Sequence, residues 1–597
     1  MSVSIRGIID FFSPGHAGFD FRSEDHRDPA IGAQEVASPH DLPPARRLLY
    51  PHLAIAADVQ LHNRTDLLRA LGADFGSTAP DDSQLLLAAY AKWGEQCGSF
   101  LLGEFAFAIW DERLKRLFCC RDHMGFRAFL YWRSPTRFIF ANNIEPILAC
   151  QGVPRELNRR KLAALSVPTA LHVHHEETFH AGIFSLPPGS WMTVDSNGIR
   201  QQKYWELTVD AEPAAARRPE EVFEALRDIL FQAVECRIDR EPVTALLSGG
   251  LDSSSIVAIA ARCLEKQNRQ LIAIGAVLPD ESRGQFSDER EYMEEFRSWP
   301  NIDIKYVTAQ GRGPFDSLKD LSQFIVFPLR SSRRFLVDEF EKVAIGCGSR
   351  TLFWGTGGEF GVTNWGQRHY VELAVRLRWL SLIGQLKRRR SRRHVSSIRR
   401  LAGEFLNTLF PLRGMGPMIP LAREFQRQYQ PKPAWKSRSP YLRHQNAAEI
   451  RYWISKHAIE RGQATSLTRS ATPLFDKRVL EFCLAVPAIM NERDGYSRYL
   501  VRGALDGLLP RRIQWRTGKA PFSPDYFVRY NAQLGIARDF VAAIGPGDPV
   551  RRVIDVDQVA RLLVPADPAK PSAAARDDVP VSLYMINFLR QFPEFRP

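Results

Sequence analysis

The chain has 597 residues, of which 45% are hydrophobic and 25% charged, and its formal net charge is +13. This length excludes a single hydrophobic core, which rarely grows past roughly 250–300 residues, and the average composition excludes wholesale disorder. No stretch reaches the roughly 18 uncharged apolar residues of a membrane-spanning helix, and the first residues lack the apolar core of a signal peptide. The eight cysteines form no CxxC pair, so we expect a reduced cytoplasmic protein without a disulfide framework or a structural zinc site.

The first part of the chain, from Ile5 to about Trp205, has the pattern of short strands with two helices. Leucine and alanine recur at helical spacing over 64–71 and 84–93. Aromatic and apolar runs between turn residues predict strands at 105–110, 116–120, 129–132 and 138–140, and a last strand at 190–194. A link rich in proline and alanine, 212–219, then separates this α+β part from the rest.

The second part begins with a predicted helix at 220–236 and then alternates strands at 243–247 and 271–277 with a helix at 254–265. Such alternation predicts a parallel sheet covered on both faces. Beyond Phe327 the sequence predicts mainly helices. Near the end, the composition of 565–578 predicts a flexible segment, and 581–588 predicts a short apolar helix.

The most informative segment follows the strand at 243–247 and reads Ser248-Gly-Gly-Leu-Asp-Ser-Ser254. Glycines let the backbone approach a ligand closely, and the N–H groups at a helix start favour anions. Ser248, Ser253 and Ser254 add hydroxyl donors, and Asp252 supplies a hard oxygen suited to Mg²⁺. The Walker A spacing and the GxGxxG spacing are both absent. We therefore interpret the segment as a phosphate-binding loop of another kind.

This loop resembles the pyrophosphate loop of the ATP pyrophosphatase family, and from about Gly7 to Pro524 the chain resembles asparagine synthetase and its relatives. The further landmarks, in chain order, are 103–111, Arg121-Asp122 with Gly125, 186–189, Tyr204-Trp205, Asp288-Glu289, 355–359, 473–476, Arg502, Leu509-Pro510, Arg516 and Lys519.

The resemblance implies a specific domain organisation. Residues 1–205 are expected to form an α+β domain of the N-terminal-nucleophile (Ntn) hydrolase type, with αββα layers, and 206–219 a linker. Residues 220–540 are expected to form an α/β ATP pyrophosphatase domain of the adenine nucleotide alpha hydrolase type with a helical C-terminal part, and 541–597 a C-terminal extension.

The resemblance also implies the site residues. ATP would be bound by Leu246, Ser248, Gly249, Gly250, Asp252, Ser253, Ser254, Ala276, Gly355 and Gly357, and Mg²⁺ by Asp252 and Glu359. Lys519 stands at the place of the family's catalytic lysine, where a cation would neutralise charge that develops in the reaction. Thr356 stands where asparagine synthetase has glutamate and β-lactam synthetase has tyrosine, on the side of the reaction that handles the amine. Ala471 stands where the family usually has arginine. The resemblance therefore does not imply the substrate specificity of asparagine synthetase.

The first domain departs from the family at its nucleophile. Asparagine synthetases begin with a cysteine whose thiolate attacks glutamine, whereas Arg6 stands at that position here and five residues precede it. The strand that binds glutamine in the family has the sequence Asp58-Val-Gln-Leu-His-Asn63 here. Ser2 lies outside the matched strand, so we do not expect it to act as a nucleophile. We expect this domain to be inactive as a glutaminase.

Without glutamine hydrolysis, the amine must be free ammonia, a second molecule or part of the same substrate. The inactive glutaminase, Thr356 and a basic run at 387–400 favour a resemblance to lasso peptide cyclases. These enzymes adenylate an Asp or Glu side chain of a leader-cleaved precursor peptide, which its N-terminal amine then attacks. Because an α-amine has a pKa near 7.7–8.0, it can lose its proton to solvent, and Thr356 need not act as a base. The resemblance further implies a leader peptidase and a leader-binding protein as partners.

Three alternatives remain. An ammonia-dependent asparagine synthetase-like ligase would make asparagine from aspartate and ammonium. A β-lactam synthetase-like ligase would close a small lactam. A catalytically inactive regulatory or nucleic-acid-binding protein would use the +13 charge, but the intact loop with Lys519 argues against it, and we expect no nucleic acid partner. The basic run has no acid between Lys387 and Arg400, so it forms either a solvated helix face or a surface for an anionic partner.

Overall fold

The computed structural model describes residues 4–10, 19–24, 50–73, 75, 79–167, 176–209, 218–280, 286–319, 331–364, 369–393, 402–403, 406, 419–429, 439, 441–461, 467–493, 495–570 and 572–596. Ser2, most of the predicted linker (210–217) and the end of the basic run (394–400) lie outside these residues.

The first domain contains two five-stranded antiparallel sheets, with strand orders β2-β1-β7-β6-β8 and β10-β9-β5-β4-β3. Their strands are β1 (Ser4–Asp10), β2 (Phe19–Glu24), β3 (Leu53–Leu61), β4 (Gly103–Asp111), β5 (Arg116–Arg121), β6 (Leu130–Arg133), β7 (Arg137–Ala141), β8 (Ile183–Ser185), β9 (Ser190–Asp195) and β10 (Gly198–Lys203). The helices are α1 (Arg64–Leu71), α2 (Asp82–Trp93), α3 (Ile144–Leu148) and α4 (Arg159–Ala164).

The side-chain alternation of β4 explains how these layers stack. Phe105 and Phe107 pack with α1 and α2 on the outer face of their sheet, whereas Ala106, Ala108 and Trp110 face the other sheet. Alternate residues of a strand point to opposite faces, so one strand contributes to two cores. Helix α3 packs on the outer face of the first sheet. The layer order is therefore helix, sheet, sheet, helix.

The predicted strands and both predicted helices of this domain are present, but the strand at 190–194 is not the last. Strand β10 follows it as the second arm of a hairpin, with Gly198 opposite Asp195. Residues Gly198 to Lys203 are mostly polar and exposed, so this edge strand carries no apolar alternation from which a strand is predicted.

The second domain is built on a parallel sheet of order β13-β12-β11-β14-β15. Its strands are β11 (Val243–Leu246), β12 (Leu271–Ala276), β13 (Ile302–Val307), β14 (Thr351–Phe353) and β15 (Arg469–Ala471), and a separate hairpin joins β16 (Glu492–Arg493) to β17 (Tyr496–Ser497). Ala245 packs in the core on one face and Leu246 in the core on the other, as a sheet covered on both sides requires. Beyond Phe327 the described elements are mainly helices, as predicted, but β14 and β15, of three residues each, complete the sheet.

Helices cover both faces of this sheet. They are α5 (Pro219–Glu235), α6 (Leu251–Glu265), α7 (Arg290–Met293), α8 (Arg334–Gly346), α9 (His369–Val375), α10 (Trp379–Arg393), α11 (Arg423–Tyr429), α12 (Leu442–Arg461), α13 (Lys477–Ala485), α14 (Tyr499–Ala504), α15 (Arg511–Gln514), α16 (Tyr526–Ala532), α17 (Leu534–Ala542), α18 (Val556–Leu562) and α19 (Val579–Leu589).

The predicted apolar helix near the end is α19, and all of its residues are buried. It lies in the same core as Leu246 of the sheet, and Phe588 contacts Phe179 of the first domain at 6.1 Å between ring centroids. The segment 565–578, predicted to be flexible, is tied to α16 instead. Asn531 exchanges two hydrogen bonds of 2.8 Å with the backbone of Ala566, and the Tyr526 hydroxyl donates to the Arg576 carbonyl at 3.1 Å.

A buried network of charged side chains joins the two domains. The Asp476 carboxylate accepts from the guanidinium of Arg237 at 2.8 Å and from Arg478 at 2.9 and 3.0 Å. Arg237 also approaches Glu104 of the first domain at 3.8 Å, and Glu104 pairs with Arg127 at 3.3 Å. Because buried charges must be paired, each member depends on its neighbours.

His62, Cys236 and Asp476 also meet at this boundary, with potential metal-ligand atoms within 4.8 Å of one another. Both carboxylate oxygens of Asp476 already accept from guanidinium groups, and the positive charge of Arg237 and Arg478 opposes a cation. We therefore interpret this cluster as part of the ion network and not as a metal site.

Two negative predictions concern cysteines and membrane spans. All eight cysteines are free thiols, which agrees with the absence of a disulfide framework. Among the helices of the described ranges, none combines the length and the apolarity that crossing a bilayer requires.

Candidate functional site

The predicted phosphate loop connects the carboxyl end of β11 to the start of α6. Helix α6 begins at Leu251, three residues earlier than predicted, so Asp252 and Ser253 lie in its first turn. Gly249 has a φ of +65°, and a Cβ at this position would lie 2.8 Å from the Cβ of Tyr292. Glycine is therefore required here both by the left-handed backbone and by the close packing.

The three serines of the loop have different roles. The Ser253 hydroxyl accepts from the Ser248 backbone N–H at 3.0 Å and lies 2.8 Å from the Ser248 hydroxyl, so it fixes the loop shape. Ser248 lines an open pocket together with Ala276. Ser254 is fully buried, and its hydroxyl has no partner among the residues that the structure describes. The structure thus does not bring the Ser254 hydroxyl to the pocket, and Leu246 is likewise buried in the core behind the loop.

Lys519 lies across the phosphate loop. Its ammonium donates to the Ser248 hydroxyl at 3.1 Å, and a Cβ at Gly250 would lie 2.7 Å from its Nζ. The surrounding protein partly desolvates this ammonium and lowers its pKa. The charges of Asp252 and Glu289 oppose this shift, whereas Arg498 and Arg516 reinforce it. An ammonium crowded by other cations favours an anionic ligand.

Residues that the sequence marked only as landmarks hold Lys519 in place. Glu289 forms a two-pronged ion pair with Arg516 and also accepts from the Ala520 backbone N–H at 2.6 Å. Arg516 in turn donates to the Gly249 carbonyl at 2.8 Å. The segment that carries Lys519 is thereby tied to the phosphate loop.

The second predicted loop, from Gly355 to Glu359, packs directly on the first turn of α6. A Cβ at Gly355 would lie 2.6 Å from the Ser253 backbone nitrogen, and a Cβ at Gly358 would overlap a carboxylate oxygen of Asp252. Gly357 has a φ of +97° and fits against the Phe475 ring. Because these glycines have no side chain, the two backbones can approach closely, and this brings the two loops together.

The two predicted metal ligands face each other across this junction. Asp252 accepts a hydrogen bond from the Thr363 hydroxyl. Partial burial raises the pKa of Glu359, and the negative charge of Asp252 raises it further. Two carboxylates that repel each other in a site beside a phosphate loop fit Mg²⁺, which prefers oxygen ligands and bridges to phosphates. We therefore propose Asp252 and Glu359 as the residues that would hold the ion.

Replacing Glu359 by glutamine should weaken the binding of Mg²⁺ by about 10- to 100-fold, since even outer-shell groups of metal sites contribute this much to affinity. Calorimetric titration of the chain with Mg²⁺ measures the change. Glu372→Gln removes a buried carboxylate elsewhere and serves as the control. An unchanged titration for Glu359→Gln would contradict the assignment.

Arg498 lies near this site, although its place in a basic stretch of the sequence indicates surface charge as readily as function. Its backbone has a φ of +60°, directly after the hairpin of β16 and β17 and before α14. Its charge lowers the pKa of both Glu359 and Lys519, which places the guanidinium near both groups. A non-glycine residue in a left-handed conformation is typical of functional sites.

Thr356 lies between Gly355 and Gly357 and is exposed. The loop therefore carries this side chain at the protein surface beside the carboxylates. Among the described residues, no hydrogen bond to the Thr356 side chain is seen that would identify it as a base.

The first domain carries no nucleophile at the expected position. Arg6 lies inside β1, with Arg22 opposite it on one side and Ala141 on the other, and its guanidinium donates to the Cys150 sulfur at 3.0 Å. A residue inside a strand has no free α-amine. Asp58, from the strand that would grip glutamine, is already paired with Arg127 at 3.3 Å.

Comparisons with known proteins agree with this two-domain arrangement. A family model described as a glutamine amidotransferase domain matches residues 51–205, and a model described as asparagine synthase matches residues 225–586. Asparagine synthetase [glutamine-hydrolyzing] 3 of Bacillus subtilis is 29% identical over 256 residues, which cover 42% of this chain and 39% of the relative. Amidase chyE of Penicillium rubens is 30% identical over 250 residues, which cover 40% of this chain and 36% of the relative.

The chain thus spans less than two fifths of the length of these relatives. A solved glutamine phosphoribosylpyrophosphate amidotransferase from B. subtilis is 13% identical and covers 42% of this chain and 61% of its own. Its TM-score of 0.18 is too low to support an argument about the fold.

Proposed function

Because the chain belongs to the asparagine synthase family, we propose that it is an ATP-dependent, AMP-forming carbon–nitrogen ligase whose substrate supplies both the carboxylate and the amine. The observation that carries this proposal is the combination of an assembled phosphate loop, with Lys519 3.1 Å from Ser248, and a first domain with Arg6 inside a strand at the nucleophile position.

In the first step, a substrate carboxylate oxygen attacks the α-phosphorus of ATP. The bond to the β-phosphate breaks, and pyrophosphate leaves. The start of α6 and the Lys519 ammonium lie where they can bind the departing pyrophosphate. Mg²⁺ held by Asp252 and Glu359 would neutralise phosphate charge.

In the second step, a neutral amine attacks the carbonyl carbon of the acyl adenylate. The bond to the AMP oxygen breaks, AMP leaves, and the amine gives up one proton to solvent. In this proposal, the Lys519 ammonium stabilises the charge on the tetrahedral intermediate. An amine on the same molecule gains from effective molarities on the order of 10⁵–10⁸ M, which compensates for the absence of a glutaminase.

We propose that the substrate is a leader-cleaved precursor peptide and that the product is a lasso peptide macrolactam. An Asp or Glu side chain is adenylated, and the N-terminal amine closes an isopeptide ring. Thr356 supports this choice, because a short exposed hydroxyl stands where relatives with other substrates carry glutamate or tyrosine. A leader peptidase and a leader-binding protein would then act before this enzyme.

Mass spectrometry of candidate peptides with ATP and Mg²⁺ tests the proposal. We expect the peptide to lose one water while AMP and pyrophosphate accumulate in equal amounts. Asp252→Ala should abolish both signals, and Thr356→Ala should retain both, because the α-amine needs no base. Formation of ADP in place of AMP would contradict the proposal.

The relative named asparagine synthetase makes an ammonia-dependent asparagine-forming ligase the second candidate. Incubation with ATP, aspartate and ammonium distinguishes the two functions. Asparagine formation would favour the second candidate, whereas peptide cyclisation without asparagine would favour the first. Closure of a β-amino acid to a lactam would identify the β-lactam synthetase-like alternative.

A further inference from the structure

Large apolar side chains are exposed around the turn from α9 to α10. Their exposed fractions are 46% for Val375, 72% for Leu377, 50% for Trp379, 89% for Leu380 and 48% for Ile383. We call these five residues the α10 patch. A contiguous group of exposed apolar residues on a folded protein typically marks an interaction surface.

The α10 patch is not needed for the local core. Leu382 on the opposite face of α10 is only 3% exposed and packs with Tyr370 and Leu373 of α9. The helix is therefore anchored through one face, while Leu380 and Ile383 point outwards.

Cations surround the patch. Arg376, Arg378, Lys387 and Arg388 are exposed, and the sequence of α10 continues with four more arginines up to Arg393. Between His369 and Arg388 the one carboxylate is Glu372, which is buried and paired with Arg376 at 3.2 Å. Within the described segment from His369 to Arg388, the exposed charged side chains are therefore all cationic.

We propose that the α10 patch docks the protein on a bilayer that contains anionic phospholipid. Tryptophan and leucine beside a cluster of lysine and arginine are typical of helices that lie in the membrane interface. The exposed apolar residues would enter the headgroup boundary, and the cations would contact lipid phosphates. A protein partner would be expected to need matching polar contacts, and Ser381 is the one uncharged polar residue exposed between Trp379 and Arg388.

Co-sedimentation of the full chain with phosphatidylcholine vesicles, with and without phosphatidylglycerol, tests this inference. We expect binding to the anionic vesicles, weakened by salt, and little binding to phosphatidylcholine alone. The variant Trp379→Ser/Leu380→Ser/Ile383→Ser should lower partitioning by at least about tenfold. Lys387→Gln/Arg388→Gln should lower it by about fivefold for each charge removed.

The matched control is Leu114→Ser/Val564→Ser, which removes two apolar side chains that are each 56% exposed outside the α10 patch. It should bind anionic vesicles as the unaltered chain does. The charge variant keeps the test valid if the triple variant fails to fold. Absence of binding to anionic vesicles at low salt, equal binding to neutral vesicles, or unchanged binding of both patch variants would overturn the proposal.

Discussion

Replacing Lys519 with alanine is expected to lower the rate of ATP-dependent AMP formation by about 10²- to 10³-fold, the loss typical of removing one group that stabilises developing negative charge. The ammonium lies across the phosphate loop, 3.1 Å from the Ser248 hydroxyl. Under the proposed function, its removal takes away a cation beside the bound phosphates. Pyrophosphate release with the peptide substrate measures the rate.

The pH profile separates a chemical role of Lys519 from a structural one. Under the proposed function the cationic form of Lys519 is the active form, so kcat/KM should fall as pH rises through the pKa of Lys519. Because partial desolvation lowers that pKa, the fall should begin below the ordinary lysine value of about 10.4. Lys519→Arg should remove this alkaline limb. Lys342→Ala, which removes an exposed lysine paired with Glu339, is the matched control and should change neither the rate nor the profile.

Replacing Asp476 with alanine should destabilise the fold by about 3–5 kcal/mol, because Arg237 would remain buried without its partner and Arg478 would lose both of its bonds to the carboxylate. The thermal midpoint should fall by about 4–6 °C, because the unfolding entropy of roughly 375 residues in the second domain is about 0.8 kcal/mol/K. Removing Glu265 from its exposed pair with Arg262 is the control, and it should change stability by less than about 1 kcal/mol. If the thermal midpoint of Asp476→Ala were as close to that of the original chain as the control's is, the network would not stabilise the fold as proposed.

The pKa of the Asp476 carboxylate predicts how the free energy of unfolding depends on pH. Burial alone would raise the pKa of Asp476, but Arg237 and Arg478 outweigh burial and hold it well below its usual range. A depressed pKa in the folded state stabilises the protein at pH values above the unfolded-state pKa of about 3.9, and the effect is lost as pH falls below it. The difference in thermal midpoint between the original chain and Asp476→Ala should therefore be largest near neutral pH and shrink below about pH 4.

Local patterns in the sequence were sufficient to predict the phosphate loop and the elements beside it. The buried strand, the two glycines and the following helix are all present, and Ser248, Asp252 and Lys519 meet at one place. The start of α6 was predicted three residues late, because Gly250 provides no side-chain cap and the sequence before Ser254 has the composition of a loop.

Long-range packing explains what the sequence did not predict. Thr363 bonds Asp252 from 111 positions away, and only the folded chain brings the two together. Arg498 has a left-handed backbone directly after β17, and local composition does not predict this conformation. Strands β14 and β15 are only three residues long, too short for an alternating pattern to be recognised.

The burial of α19 has a consequence for synthesis of the protein on the ribosome. The parallel sheet has all five strands once Ala471 has been translated, but its core also contains α19, which starts at Val579. Roughly 120 residues separate Ala471 from the end of α19, or about 6 to 24 seconds at 5–20 residues per second. During that interval the nascent chain exposes apolar surface that its own later residues will cover.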